Sequence, residues 1–143
     1  MSQTDQASSR AFTGGCLCGA VRYEATGAPN FMGFCCCGDC RKASGSGAVP
    51  FIGFSAQAIR FTGETAIHVA TSLNGGEAVR NTCPTCHSLV FGGRVGVDSA
   101  HTLYAGTLDD ASLFEPAMAI FVRDKPDWVR LPDGLALFET MPG

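Results

Sequence analysis

The segment FMGFCCCGDCRKASGS, residues 31–46, places four cysteines in six positions and follows them with a basic pair and a glycine stop. Side chains on an extended strand alternate between faces, so if Cys35 and Cys37 turn toward one point, Cys36 turns away. Cys40 lies one short turn further on, past Gly38-Asp39. The segment therefore reads as a strand over residues 31–37 and a short helix over 40–44 stopped at Gly45. Cys35, Cys37 and Cys40 can then converge from one local turn, leaving Cys36 as the odd thiol.

Four more cysteines lie outward from this segment, Cys16-x-Cys18 on one side and Cys83-x-x-Cys86 on the other. Eight cysteines in 143 residues imply either disulfides or metal. Three consecutive thiols and close C-x-C and C-x-x-C pairs suit chelation of one ion better than cross-linking. Seven thiolates divide naturally as four plus three. The two outer pairs join across the 64 residues between Cys18 and Cys83 into a closed tetrahedral site. The central trio leaves one coordination position for water or a ligand. Thiolate softness and tetrahedral geometry favour zinc, with iron–sulfur clusters as the alternative.

The rest of the chain reads as strands. Eighteen glycines cut it into short segments, and none sustains a 3.6-residue apolar period. Residues 12–24 form a hairpin with Cys16 and Cys18 near its tip. Further strands are expected over residues 48–54, 59–62, 66–71, 77–82, 88–91, 102–104 and 118–122. Asp109-Asp110 can cap a helical turn over 111–114. The expected fold is mainly β, about ten short strands with one or two helical turns, in one domain over residues 12–143. The polar residues 1–11 are expected to be a disordered tail.

Charge narrows the partners. Ten Lys and Arg against 13 Asp and Glu give −3, no basic field for a phosphate backbone, so no nucleic acid is expected. The first ten residues lack the apolar core of a secretory signal, and no apolar run approaches the roughly 20 residues that span a bilayer. The reading is a cytoplasmic protein with no membrane partner. Its oligomeric state is left open.

Three stretches together carry a resemblance: GGCLCGAVRYE at residues 14–24, CCCGDCRKASGS at 35–46 and CPTCHSLVFG at 83–92. With Lys125, Trp128 and Phe138-Glu139 before Pro142, they resemble the glutathione-dependent formaldehyde-activating enzyme family, which includes the centromere protein V relatives. The resemblance implies a β-tent of short antiparallel sheets and two zinc ions. It implies a structural zinc at Cys16, Cys18, Cys83 and Cys86, and a second, catalytic-type zinc at Cys35, Cys37 and Cys40. It also implies carbon–sulfur lyase activity on a glutathione adduct such as S-hydroxymethylglutathione, the partner being a small-molecule thiol. Two positions depart from the family pattern: Cys36 stands where members often have His, and His87 where Gly usually follows the last cysteine.

Arg41 and Lys42, with backbone N–H groups at Gly45, Ser46 and Gly47, are candidates for the carboxylates of glutathione; the alternative is a solvated pair on a short helix. Asp39 could orient a water, or simply cap the turn. Phe31, Phe34, Phe51 and Phe54 could wall a pocket or pack the core. His68 and His101 read as structural or exposed, and Trp128 as packing the C-terminal segment on the sheet. Two other functions stay open. One is a non-catalytic zinc module that binds glutathione or another thiol, and the other a redox or metal sensor in which Cys36 is the reactive thiol.

Overall fold

The computed structural model describes residues 11–73 and 75–142. The disordered tail expected over residues 1–11 falls, up to residue 10, outside the described residues.

Eleven short strands follow the glycine punctuation: β1 Phe12–Gly15, β2 Arg22–Ala25, β3 Phe31–Cys35, β4 Val49–Ser55, β5 Ile59–Thr62, β6 Ala66–Thr71, β7 Glu77–Thr82, β8 Leu89–Gly92, β9 Ala100–Tyr104, β10 Met118–Ile120 and β11 Ala136–Leu137. One α-helix, α1 Gly38–Ser44, and short 3₁₀ turns complete the described residues. The fold is mainly β.

The strands form two sheets, one of three strands in the order β1-β2-β5 and one of eight in the order β11-β10-β3-β4-β9-β8-β7-β6. Not every pairing is antiparallel. β10 runs parallel to both β3 and β11, because the chain after Phe114 returns along the outer edge of β3 in the same direction. Strand direction leaves no mark on a three-residue apolar run, so the alternation alone could not show it.

The two sheets close on one apolar core. Phe12, Val21, Tyr23 and Ala25 of the small sheet and its tip pack with Ile52, Phe54, Phe91 and Leu103 of the large one. The Phe12 and Phe54 rings meet edge to face at 5.2 Å, and Phe61 stacks on Phe91 at 4.0 Å. Cys16 and Cys83 are part of this core. A second, smaller cluster joins Cys35 and Cys37 to Phe51 and Phe121. The cysteines are thus placed by the packing of the sheets.

Trp128 departs from its expected role. It is 72% exposed and lies over Gly47, where an added Cβ would come within 2.5 Å of its ring. The tryptophan thus covers the loop before β4. Among the described residues no helix is long and apolar enough to cross a membrane.

Candidate metal centres

The four outer cysteines meet where the β1–β2 hairpin tip touches the β7–β8 connection. Each pair is shaped by its own backbone. Cys16 Sγ accepts the Val21 N–H at 3.2 Å, and Gly19, at φ 85°, turns the chain back toward β2. Cys83 Sγ accepts the N–H groups of Thr85 and Cys86, each at 3.4 Å. The buried Asn81 anchors the irregular end of β7 that leads into this turn. Its amide donates to the carbonyls of Phe91 and Gly93, and its oxygen accepts from the Thr65 hydroxyl. Leu17 N–H to Ser88 Oγ, at 3.1 Å, ties the two knuckles together.

The Sγ atoms of Cys16, Cys18, Cys83 and Cys86 all lie within 4.8 Å of one another. Cys16–Cys18 and Cys18–Cys83 are each separated by 3.7 Å. That is far beyond the roughly 2.05 Å of a disulfide. It matches the edge of about 3.8 Å that a sulfur tetrahedron has around zinc with Zn–S near 2.3 Å. The Ser88 hydroxyl and then its N–H, both donating to sulfur, hold Cys86 down to about 5. N–H and O–H donors aimed at sulfur favour thiolates, the form a metal takes.

The three inner cysteines gather at the end of β3 and the start of α1, again with all Sγ atoms within 4.8 Å. Cys37 is the helix N-cap, its Sγ accepting the Cys40 N–H at 3.3 Å. Asp39, one candidate for that cap, sits in the first turn instead. Gly45, at φ 75°, closes the helix as the left-handed C-cap. Hydrogen bonds from Cys35 and then Cys40 hold Cys37 down to about 2, while the same pairings, with burial, push Cys35 far up. Without a cation one sulfur ionises at the expense of its neighbours. A soft divalent ion is what lets all three ionise together. All eight cysteines are free and, among the described residues, no carboxylate joins either group, so the donor sets fit zinc.

The surroundings separate the two groups. Cys35 and Cys40 lie in the wall of a cavity of about 520 Å³, with Val49, Phe51, Phe31, Met118 and Ile120 as its apolar lining and Arg80, Tyr104, Glu77 and Asp98 as its polar one. The four-cysteine group lines no part of it. Of the four phenylalanines considered, Phe31 and Phe51 wall the cavity, packed edge to face at 5.6 Å. Phe34 packs on Phe114 instead, and Phe54 belongs to the main core.

Arg41, Lys42, Gly45 and Ser46 are not brought into this cavity. Lys42, Gly45 and Ser46 are exposed on α1 and its cap, and the Ser46 hydroxyl donates to the Ala48 carbonyl. The cation that the structure does place beside the trio is Arg80, whose Nη2 is 3.8 Å from Cys40 Sγ. Its signal in the sequence was only its place on β7, on the face opposite Val79 and Asn81. His101 is buried with Nδ1 3.0 Å from the Gly92 carbonyl, and His68 is exposed on β6. Cys36 faces away from the trio and is fully buried, which pushes its thiol up. That is the reverse of the accessible, ionised thiol a sensor needs.

His87 occupies φ 64°, the left-handed region that glycine adopts freely. The position costs a side-chain-bearing residue about 1 kcal/mol. His87→Gly should therefore raise the unfolding free energy of the zinc-loaded protein by up to about 1 kcal/mol in denaturant titration. A variant no more stable than the wild type would show that the imidazole makes up the difference.

Residues 11–124 match the family model of the glutathione-dependent formaldehyde-activating enzyme. A crystal structure of a Rhodobacter sphaeroides protein aligns with a TM-score of 0.51 at 19% identity, covering 73% of this chain and 96% of that one. At that identity the likeness concerns the fold alone. No curated protein matches the chain.

Proposed function

Since this chain belongs to the glutathione-dependent formaldehyde-activating enzyme family, we propose that it is a cytoplasmic carbon–sulfur lyase acting on a thiol adduct of formaldehyde, such as S-hydroxymethylglutathione. Cys16, Cys18, Cys83 and Cys86 would hold a structural zinc, and Cys35, Cys37 and Cys40 a second zinc with one open position. One observation carries this reading: the cysteine group short of a fourth ligand lines the cavity of about 520 Å³, and the four-cysteine group does not line it.

When bound at the trio, zinc supplies a positive centre that keeps a fourth sulfur ionised near neutral pH. The chain's own residues do the rest. Phe31, Phe51, Val49 and Ile120 exclude water from one side of the sulfur, and Arg80 offers a positive charge beside Cys40. In the cleavage direction the hydroxymethyl proton passes to water and the O–H electron pair becomes the second C–O bond. The C–S pair returns to sulfur, freeing formaldehyde and thiolate. The reverse direction adds thiolate to the carbonyl carbon, and the oxygen takes a proton from water.

A second reading, a non-catalytic thiol binder, is favoured by the state of the cavity's two carboxylates. Glu77 accepts from the Arg94 guanidinium at 2.8 Å and Asp98 from the Arg94 N–H at 2.6 Å, so neither is free to act as base. Formaldehyde also adds to thiols readily without help. Metal analysis followed by NMR exchange spectroscopy of formaldehyde and glutathione separates the two. Two zinc ions with accelerated exchange, lost in Cys40→Ser, are expected of the lyase. Two zinc ions and exchange at the background rate would leave a binder, and a single zinc would remove the basis for both.

A further inference from the structure

Arg80 stands out among the charged groups of the cavity. Among the described residues Glu77, Asp98 and Arg94 are paired with one another, whereas Arg80 appears in no ion pair. The half-buried Arg80 stands on β7 between β6 and β8, with Gly92 as its register partner on β8, and turns its Nη2 to Cys40 Sγ. The hydroxyl of Tyr104, a group held up to about 12 chiefly by burial, shares this corner of the cavity. A half-buried arginine without a carboxylate is costly unless another anion faces it. The group that faces it here is the Cys40 sulfur, which becomes an anion when the trio holds a metal.

Charge bookkeeping gives that contact a purpose. Three thiolates around a divalent ion leave about −1, and a fourth thiolate makes the centre about −2 against an apolar wall of Phe31, Phe51, Val49 and Ile120. A guanidinium at one sulfur offsets one of those charges, and its fixed fork keeps donors aimed at it. We propose that Arg80 is the positioning residue that balances the charge of the three-cysteine centre, and that it sets the centre's preference for an anionic sulfur over a neutral fourth ligand. This rests on the trio being the metal-binding, thiol-accepting site. Arg41 and Lys42 do not line this cavity.

The test uses the full chain as Arg80→Gln and Arg80→Lys. Zinc affinity is read by competition with a chromophoric chelator, without any thiol present. Binding of glutathione and of neutral imidazole to the zinc-loaded protein is then read by calorimetry. Arg80→Gln should weaken zinc at one of the two centres 10- to 100-fold, the usual effect of removing a group that supports a metal ligand, and leave the other unchanged. It should weaken glutathione at least about 10-fold and leave imidazole unaltered, with Arg80→Lys recovering most of both losses. Wild-type affinities in Arg80→Gln would overturn the proposal. So would equal weakening at both centres, which marks a folding role, or equal weakening of glutathione and imidazole. A wild-type protein that holds two zinc ions but does not bind glutathione would sink the proposed function. The thiol-free zinc measurement would still decide the charge-balancing role.

Discussion

Cys83→Ser should leave a protein with one zinc and without a cooperative thermal transition. Cys83 is fully buried within the main core, and its sulfur gathers two backbone N–H groups as well as its three sulfur neighbours. The group it completes links the tip of the β1–β2 hairpin to the end of β7, elements that are 65 residues apart in sequence. A structural zinc site contributes on the order of 10 kcal/mol to folding, comparable to the whole stability of a domain of this size. Losing one ligand of such a site should therefore cost roughly 5 kcal/mol or more. Far-UV circular dichroism on heating, with colorimetric zinc release, measures both effects. Excess chelator should reproduce the loss in the wild type. A Cys83→Ser protein melting within a few degrees of the wild type would show that packing alone joins the two sheets.

What the residues announced in advance follows this division between local and distant causes. The hairpin holding Cys16 and Cys18, the helix stop at Gly45 and the limits of β5, β6 and β7 depend on neighbours in sequence, through glycine turns and alternation, and these were legible. So was the grouping of the cysteines, because a thiol's chemistry and its spacing are both local properties. The parallel return of β10 beside β3 was not legible, nor was the path of the chain end. Met141 and Pro142 reach the cavity wall because the backbone N–H groups of Phe121 and Val122 donate to the carbonyls of Thr140 and Phe138. Nothing in the composition of the last residues marks that path.

Arg80 illustrates the same limit at the site. On β7 it is one polar residue in an alternating strand, paired in register with His68 of β6, which reads as structural or exposed. Only the folded sheet, in which β7 lies between β6 and β8 and β6 is the edge strand, decides that Arg80 reaches the trio while His68 is exposed. Arg41 and Lys42 are next to Cys40 in sequence, but neither lines the cavity that Cys40 borders. Phe121 was silent too. It holds φ 54°, strained for a bulky side chain, and packs on Cys35, Cys37 and Phe51. The strain sits where the chain must turn from β10 into the 3₁₀ turn Val122–Asp124 and still cover the trio.

Cys37→Ser should separate function from stability more cleanly than any other change at the trio. Cys37 has two roles, a sulfur among the three and the N-cap of α1 through the Cys40 N–H. Serine keeps the second, being among the preferred N-caps, where loss of the cap would cost about 1 kcal/mol. It removes the first, because a hydroxyl does not replace a thiolate as a zinc ligand. The expected protein retains the closed four-cysteine site and one zinc, and keeps the cooperative thermal transition that Cys83→Ser loses. Its formaldehyde–glutathione exchange should fall to the uncatalysed rate, and glutathione binding should be lost. Chain collapse like that of Cys83→Ser would mean the inner trio is structural as well. Retention of two zinc ions with full thiol binding would mean that the open centre is built on other residues.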